Sequence, residues 1–368
     1  MIEVADILRL HGAAYQQQHW LLPSQQKVLN DLVRCRTPAA GGQLYRCDHC
    51  GQEHYSYHSC RNRHCPKCHG QQTERWLEQQ RARLLPCPYY LLTFTLPAEL
   101  RGLCAAHQKA LYGLLLRSAA AALQKLAWDP RYVGGRLAML AVLHTWTRAL
   151  LYHPHVHLLV SAGGLSADGQ HWRGARHPAF LVPRFALSKI FRGKFRAGLK
   201  RLGYLDAVPA GVWKKDWVVH CQHAGSGQKV LDYLGRYVFR IAISNSRIER
   251  FEQGEVTFRY RDNRLQQIQH VRLSALQFIG RFLQHVLPRG LVKVRSYGLI
   301  AAHCAAQLAQ ARARLAAPAP PCESQLLPAV RQASPPPAPN PPLRLCPQCQ
   351  RGHLILIASL LPQRTRAP

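Results

Sequence analysis

The sequence predicts an α+β fold, and three observations carry that reading. Between residues 85 and 300, stretches that alternate like strands interleave with stretches that repeat at helical spacing. Of the 368 residues 47% are hydrophobic, enough to bury a core and too many for a disordered basic tail. Cysteine and histidine crowd into 35–69, which marks a small module ahead of the main region. At roughly 150 residues per domain, the length suits about two domains plus small modules.

Taken in order, residues 1–34 look helical and mixed in polarity. Tyr89–Leu96 (YYLLTFTL) is a strand stopped by Pro97. Leu103 to Trp128 is a helix with leucines at helical spacing. Leu137–Trp146 and His155–Ala162 are two strands joined by a short connection, with Pro154 disturbing the start of the second. Phe185–Leu202 is a basic amphipathic helix: Phe191, Phe195 and Leu199 form its apolar stripe, while Arg192, Lys194, Arg196, Lys200 and Arg201 lie off it. Trp217–Cys221 is a strand, Lys229–Arg240 a helix and Glu255–Arg261 a strand. From Ala317 to Pro342 proline dominates and predicts an extended linker. The expected organisation is a helical segment (1–45), a cysteine-rich module (46–84), a main domain (85–316), the linker (317–342) and a cysteine-containing tail (343–368). No internal repeat is visible.

With 49 Lys+Arg against 18 Asp+Glu, the net charge is +31. Such a chain repels itself unless a counter-charge is near, so DNA or RNA is the expected partner and binding should weaken steeply with salt. No apolar run approaches the ~18 residues that a spanning helix needs. The start, MIEVADILRLHGAAYQ, is polar and carries acids early, unlike a signal peptide. A cytoplasmic location without membrane is therefore expected. There the 13 cysteines are metal ligands and buried thiols rather than disulfides.

Cys47, Cys50, Cys65 and Cys68 form two C-x2-C pairs separated by fourteen residues. Each pair can make a tight turn whose thiolates face one ion, and two such turns complete a tetrahedral, structural zinc site. Cys35, Cys60, His54, His58 and His64 lie close by, available for a second site or as replacements. Arg61 and Arg63 flank the module and are candidate DNA contacts. In the tail, Cys346 and Cys349 (LCPQCQRGH) are half of a knuckle without an obvious second pair. His353 and Cys322 are the nearest candidates to complete it.

The stretch LLYHPHVHLLVSAGG is the most informative. Residues two apart on a strand share a face, so His155 and His157 point together, with Val156 turned into the core. Two imidazoles so placed can share one metal. His144 on the preceding strand is the best candidate for a third ligand. VLDYLGRYVFR places Tyr233 and Tyr237 one helical turn apart. Alone, such a pair is packing. Beside a metal that polarises a phosphodiester, a phenolate becomes a nucleophile and the resulting phosphotyrosine conserves the bond energy. Two tyrosines allow two such linkages in succession.

These residues resemble the rolling-circle transposases of the insertion sequence ninety-one family, within the HUH (His-hydrophobic-His) endonuclease superfamily. The resemblance spans SCRNRHCPKC, the LHTW stretch, HPHVHLLVSAGGL, ALSKIFRGKF, YLGRYVFRIAISNSRI and FLQHVLPRGLVKVRSYGL, in that order. It implies an HUH core, an antiparallel sheet with packed helices, preceded by a small zinc-binding module. It also implies a catalytic Mg²⁺ or Mn²⁺ on the histidines and attack by Tyr233 or Tyr237 on single-stranded DNA, leaving a 5′-phosphotyrosine and a free 3′-OH. Structural Zn²⁺ and the basic helix would hold the DNA, with Arg236 the cation nearest the tyrosines in sequence. A replication initiator would share the chemistry. A non-enzymatic zinc-dependent DNA-binding regulator would leave the histidine and tyrosine pairs idle, a small-molecule hydrolase would not explain the charge, and no carboxylate constellation of an acidic-triad transposase is visible.

Overall fold

The computed structural model describes residues 1–68, 70–177, 179–225, 229–230, 235, 241–262, 265–316 and 344–363. It is a mixed fold of antiparallel sheets and helices. The chain begins with α1 (Val4–Gln18) and α2 (Pro23–Arg34), the latter started by a proline whose missing N–H is not needed there. The hairpin β1 (Gly42–Cys47) and β2 (Glu53–Tyr57) follows, then α3 (Gly70–Arg81) and β3 (Tyr89–Thr95). The expected single helix over 103–128 is two, α4 (Arg101–Ala106) and α5 (Gln108–Ala127). His107 leaves the helical region at φ −122°, ψ 45° and stacks on Tyr204 at 4.2 Å, which breaks the run.

Next come β4 (Arg136–Trp146), β5 (Tyr152–Leu165), β6 (Trp172–Gly174) and α6 (Arg184–Arg201). β5 starts three residues earlier than expected and runs through Pro154. Proline cannot donate to a ladder, and the register accommodates it: His144 pairs with His155 but Trp146 with Tyr152, a bulge that takes up the interruption. β7 (Val219–Gly225) begins two residues late, because the Trp217 ring turns into the core beside Phe191 and Phe195 and its indole N–H donates to Val212 O at 3.1 Å. Then come β8 (Ile248–Glu252), β9 (Glu255–Arg261, as expected) and β10 (Ile268–Ser274). They lead into α7 (Ala275–Leu283), whose N-cap Ser274 side chain accepts from Gln277 N–H. β11 (Val294–Gly298), α8 (Ala305–Leu315) and β12 (Leu354–Leu360) complete the described elements.

The central sheet runs β11-β4-β5-β3-β7, with β6 paired to β5, and every pairing is antiparallel. Alternation assigns its faces. Val156, Leu158 and Val160 of β5 lie in one core with Phe94, Leu143, and the apolar faces of α5 and α6. Leu159 joins Tyr89, Leu140, Val142, Val230 and Leu299 on the opposite face. The two helices therefore cover one side of the sheet only.

A second core unites chain segments far apart in sequence. Ile7 and Leu8 of α1 and Leu29 and Leu32 of α2 pack with Phe258, Phe278, Ile279 and Phe282. The N-terminal helices are thus built onto the β8–β10 sheet and α7 rather than standing as a segment of their own. A third sheet, β12-β1-β2, pairs β12 with the hairpin over 42–57. No helix among the described residues is long and apolar enough to cross a membrane.

If the N-terminal helices share this core, Leu8→Ala should cost about 2–5 kcal/mol and Phe258→Ala about 3–5 kcal/mol. Denaturant unfolding followed by tryptophan fluorescence checks this. A loss below 1 kcal/mol for Leu8→Ala would mean that α1 is not part of the cooperative unit.

Candidate metal centres

The histidines meet at one end of the central sheet. His144 on β4 and His155 on β5 are direct register partners, and His157 follows two residues on, on the same face. One ring nitrogen from each of the three lies within 4.8 Å of the others. His144 is buried and stacks on Trp146 (4.7 Å), whereas His155 and His157 are half-buried. The structure therefore brings the expected pair and the candidate third residue together.

Backbone and hydroxyl groups orient the rings. His155 Nδ1 is 2.7 Å from His153 O, and a carbonyl only accepts, so Nδ1 carries the proton and Nε2 the lone pair. His157 Nδ1 lies 3.0 Å from Thr93 Oγ1, a hydroxyl that accepts from Nδ1–H when Nε2 is a ligand. Thr93 is His157's register partner across β3, a relation that no local spacing in the sequence displays. His153 is committed elsewhere, accepting from Arg101 at 3.0 Å, and burial, then the Arg101 charge, holds its pKa below the usual value. Three imidazoles on one side with a half-open face suit a borderline cation that keeps positions for substrate oxygen. Mn²⁺ fits such a set better than Mg²⁺.

Tyr233, Arg236 and Tyr237 lie outside the described residues. Their described neighbours are on the histidine side of the sheet. Val230 is buried beside Leu159 and Val142, and a Cβ added to Gly235 would meet Leu77 of α3 at 3.3 Å.

The cysteines correct the sequence reading. Cys47, Cys50, Cys65 and Cys68 do not surround one point. Cys65 and Cys68 join Cys35 and Cys60, while Cys47 and Cys50 join Cys346 and Cys349. In the first cluster the sulfurs of Cys35 and Cys68 are 3.5 Å apart, those of Cys60 and Cys68 3.7 Å, and those of Cys65 and Cys35 3.7 Å. Tetrahedral zinc with bonds near 2.3 Å sets sulfurs about 3.8 Å apart, so this donor set fits Zn²⁺. The end of α2 delivers Cys35, and the loop after β2 supplies the others. Cys60 N–H points at Cys35 Sγ and Asn62 N–H at Cys60 Sγ, each at 3.5 Å. Hydrogen bonding with the Cys60 thiol, the strongest influence, holds the Cys65 pKa below its usual value. Fixed C-x2-C spacing hid the true partners, because Cys35 and Cys60 belong to no such pair. Of the nearby histidines, His64 accepts from Leu287 N–H at 3.3 Å, and His54 Nε2 lies 3.4 Å from Cys346 Sγ. The completion of the tail pair by His353 does not hold: Cys47 and Cys50 complete the cluster, and the His353 ring lies with Nδ1 3.9 Å from Asp48. Cys322 lies outside the described residues.

The expected DNA contacts fare unevenly. Arg61 is exposed, but Arg63 turns inward and donates to the carbonyls of Leu287, Pro288 and Leu291 at 2.7–3.1 Å. Arg192 donates to Lys215 O, and Arg196 lies over the Trp213 ring at 5.7 Å; Lys194 is half-buried and Lys200 exposed. All four belong to α6, on the face of the sheet away from the histidines. Nearer the histidine end, Arg148, just beyond β4, gathers with Arg247, Arg259 and Arg261 round a cleft of about 340 Å³. A larger cavity of about 630 Å³ between α2, the cysteine loop and residues 287–290 is lined by Lys27, Arg61 and Arg289. No sequence motif marked Lys27, Arg148 or Arg289.

Comparison with known proteins gives a consistent picture. Residues 7–96 match the family described as "Transposase zinc-binding domain" (Zn_Tnp_IS91), and residues 138–307 match the family described as "Putative transposase" (Y2_Tnp). The chain is 39% identical over 378 aligned residues to "Putative transposase y4qJ" of Sinorhizobium fredii, covering 96% of this chain and 94% of the relative. It is 29% identical to "Transposase for insertion sequence element IS801" of Pseudomonas savastanoi pv. phaseolicola, over 75% of this chain and 70% of that protein. No solved structure matches.

Two outcomes follow from this geometry. Thr93→Val keeps shape but removes the hydroxyl, and should weaken Mn²⁺ binding roughly tenfold to a hundredfold in a calorimetric titration, with the unfolding midpoint nearly unchanged. Arg63→Ala should lower stability by about 1.5–3 kcal/mol, the range for hydrogen bonds to a charged group, yet leave the salt slope of DNA binding as it was. A reduced slope would place Arg63 on the DNA after all.

Proposed function

The chain belongs to the IS91 family of insertion-sequence transposases, and we propose that it cuts and rejoins single-stranded DNA through a 5′-phosphotyrosine link to mobilise its element by a rolling-circle-like route. DNA is the partner that transposition requires, and a net charge of +31 suits it. The observation that carries the reading is the cluster of His144, His155 and His157, with Nδ1 of His155 held by a carbonyl and Nδ1 of His157 against a hydroxyl.

In this reading the phenolic oxygen of Tyr233 or Tyr237 attacks the scissile phosphorus. The phenol loses its proton, the P–O3′ bond breaks, and the 3′ oxygen takes up a proton and leaves as a hydroxyl. Bond energy is kept in the phosphotyrosine ester, so a later 3′-OH can attack it, restore the phosphodiester and release the tyrosine. The second tyrosine serves a second strand in the same way. A divalent cation on the three histidines, Mn²⁺ or Mg²⁺, would supply charge neutralisation at the scissile phosphate. The chain's own part is to hold three imidazoles in one orientation on a rigid sheet end and to keep the phosphate within reach of the phenols. Zn²⁺ on Cys35, Cys60, Cys65 and Cys68 would fix the loop that carries Arg61 beside the 630 Å³ cavity. Phosphate contacts there position DNA without selecting sequence.

Labelled single-stranded DNA carrying an element end, incubated with the protein and Mn²⁺, should give an adduct that survives boiling in detergent. Tyr233→Phe and Tyr237→Phe together should abolish it, and His155→Ala with His157→Ala should slow its formation by roughly a hundredfold or more, as expected for several kcal/mol of charge stabilisation. A non-catalytic DNA-binding protein forms no adduct at all. Persistence of the adduct in the double tyrosine variant would assign the nucleophile elsewhere.

A further inference from the structure

We infer that Cys47, Cys50, Cys346 and Cys349 form a second Zn²⁺ site, which clasps the C-terminal tail onto the N-terminal module. The matched zinc-binding domain ends at residue 96, so half of these ligands lie far outside it.

The two halves are built alike. Cys47 and Cys50 sit in the turn between β1 and β2; Cys346 and Cys349 sit in the turn before β12. In the first turn Gly51 N–H donates to Cys47 O (3.1 Å) and Cys47 N–H to Gln52 O (3.0 Å). In the second, Gln350 N–H donates to Cys346 O (2.9 Å) and Cys346 N–H to Gly352 O (2.8 Å). The residue after the second cysteine is left-handed in both, Gly51 at φ 71° and Gln350 at φ 55°. Glutamine rarely adopts that conformation, so its surroundings impose it. Each turn also aims an amide at a sulfur: Cys50 N–H at Cys47 Sγ and Gly352 N–H at Cys349 Sγ, both at 3.4 Å.

Face to face, the turns place Cys47 Sγ 3.7 Å from Cys349 Sγ and Cys50 Sγ 3.8 Å from Cys346 Sγ, the spacing of a tetrahedral zinc–thiolate site. A Cβ on Gly352 would stand 2.6 Å from Cys47 Sγ, so glycine is required where the turns meet. β12 pairs antiparallel with β1 from Gly42↔Leu360 to Cys47↔Leu354, which sets the turns opposite each other. His353 N–H donates to Asp48 and Asp48 N–H to His353 O.

Burial does not explain why the tail stays. Across 344–363 only Cys346 and Gly352 are buried, and Ile355, Leu356 and Ile357 remain about half exposed. A segment that hides so little apolar surface cannot offset its ordering entropy by packing, and backbone hydrogen bonds add little net. Four clustered thiols without a cation gain nothing from closeness; with a soft-ligand cation they become the fastening.

The test uses the full chain with a specific protease site inserted between residues 317 and 342. Purified protein should carry two zinc equivalents by elemental analysis. Cys346→Ser with Cys349→Ser should carry one, and Cys47→Ser with Cys50→Ser also one. After cleavage the tail should co-elute with the body as a monomer and separate once zinc is chelated. One equivalent in the unsubstituted chain, two in the tail variant, or a tail that leaves with both metals bound would overturn the clasp. So would a metal-dependent dimer of cleaved chains, which would mean that the tail seats on another copy. Because cleavage and chelation act on the unsubstituted fold, misfolding of a cysteine variant does not blunt the test.

Discussion

The site depends on the two-residue period of one antiparallel strand pair. β5 must turn Val156, Leu158 and Val160 into the core beneath α5 and α6. That requirement alone puts His155 and His157 on the other face, and the β4 register then sets His144 opposite His155. A slip of one residue would bury two imidazoles among the aliphatic side chains beneath α5 and α6 and turn Val156, Leu158 and Val160 to the histidine face. The hydrophobic pattern that stabilises the sheet thus also fixes the geometry of the histidines. The bulge at His144/Trp146 lets Pro154 sit in the strand without moving that register.

Metal ligation of thiols solves a different problem. The tail buries little apolar surface, and in the loop from Cys60 to Cys68 the buried hydrophobic residue is Cys65 itself. Cys35 at the end of α2 ties the loop to the core that α1 and α2 share with α7, so the first cysteine cluster is anchored on a large hydrophobic body. The tail has no such body beneath it, and its cysteines meet those of the β1–β2 turn instead. Both clusters gather thiols that would repel as thiolates without a cation.

Much of this was legible in the sequence, and what was not has a common cause. The alternation of YYLLTFTL and HPHVHLLV announced the strands and the histidine face, and the apolar stripe of Phe191, Phe195 and Leu199 announced α6, because these signals are local. Pairing between distant segments was not announced. Nothing near Cys47 points to Cys349, nothing near His157 points to Thr93, and nothing in residues 1–34 says that Phe258 and Phe278 complete their core. The grouping of Cys47 and Cys50 with Cys65 and Cys68 failed for the same reason: spacing shows which thiols can form a turn, not which turns face each other. Arg63 misled because an arginine beside a cysteine motif suggests an exposed cation, whereas three converging carbonyls draw it inward.

The distribution of charge bears on how the proposed reaction would be organised. The helix α6 packs on the face of the sheet away from the histidines, so in the proposed reaction its basic side chains would act at longer range than groups beside the scissile phosphate. Interactions at that range are screened at physiological salt, where the Debye length is about 8 Å. Their effect would fall on capture and retention of DNA, which is steep in salt and indifferent to sequence. The arginines nearer the histidine end are different in kind: Arg148 and Arg247 donate to backbone carbonyls, which holds their cationic heads in place beside the cleft that Arg259 and Arg261 also line. A cation held by its own fold loses less entropy when a phosphate arrives than a freely rotating lysine does. In the proposed reaction that cleft, rather than the more conspicuous basic helix, would fix a strand's path toward the histidines.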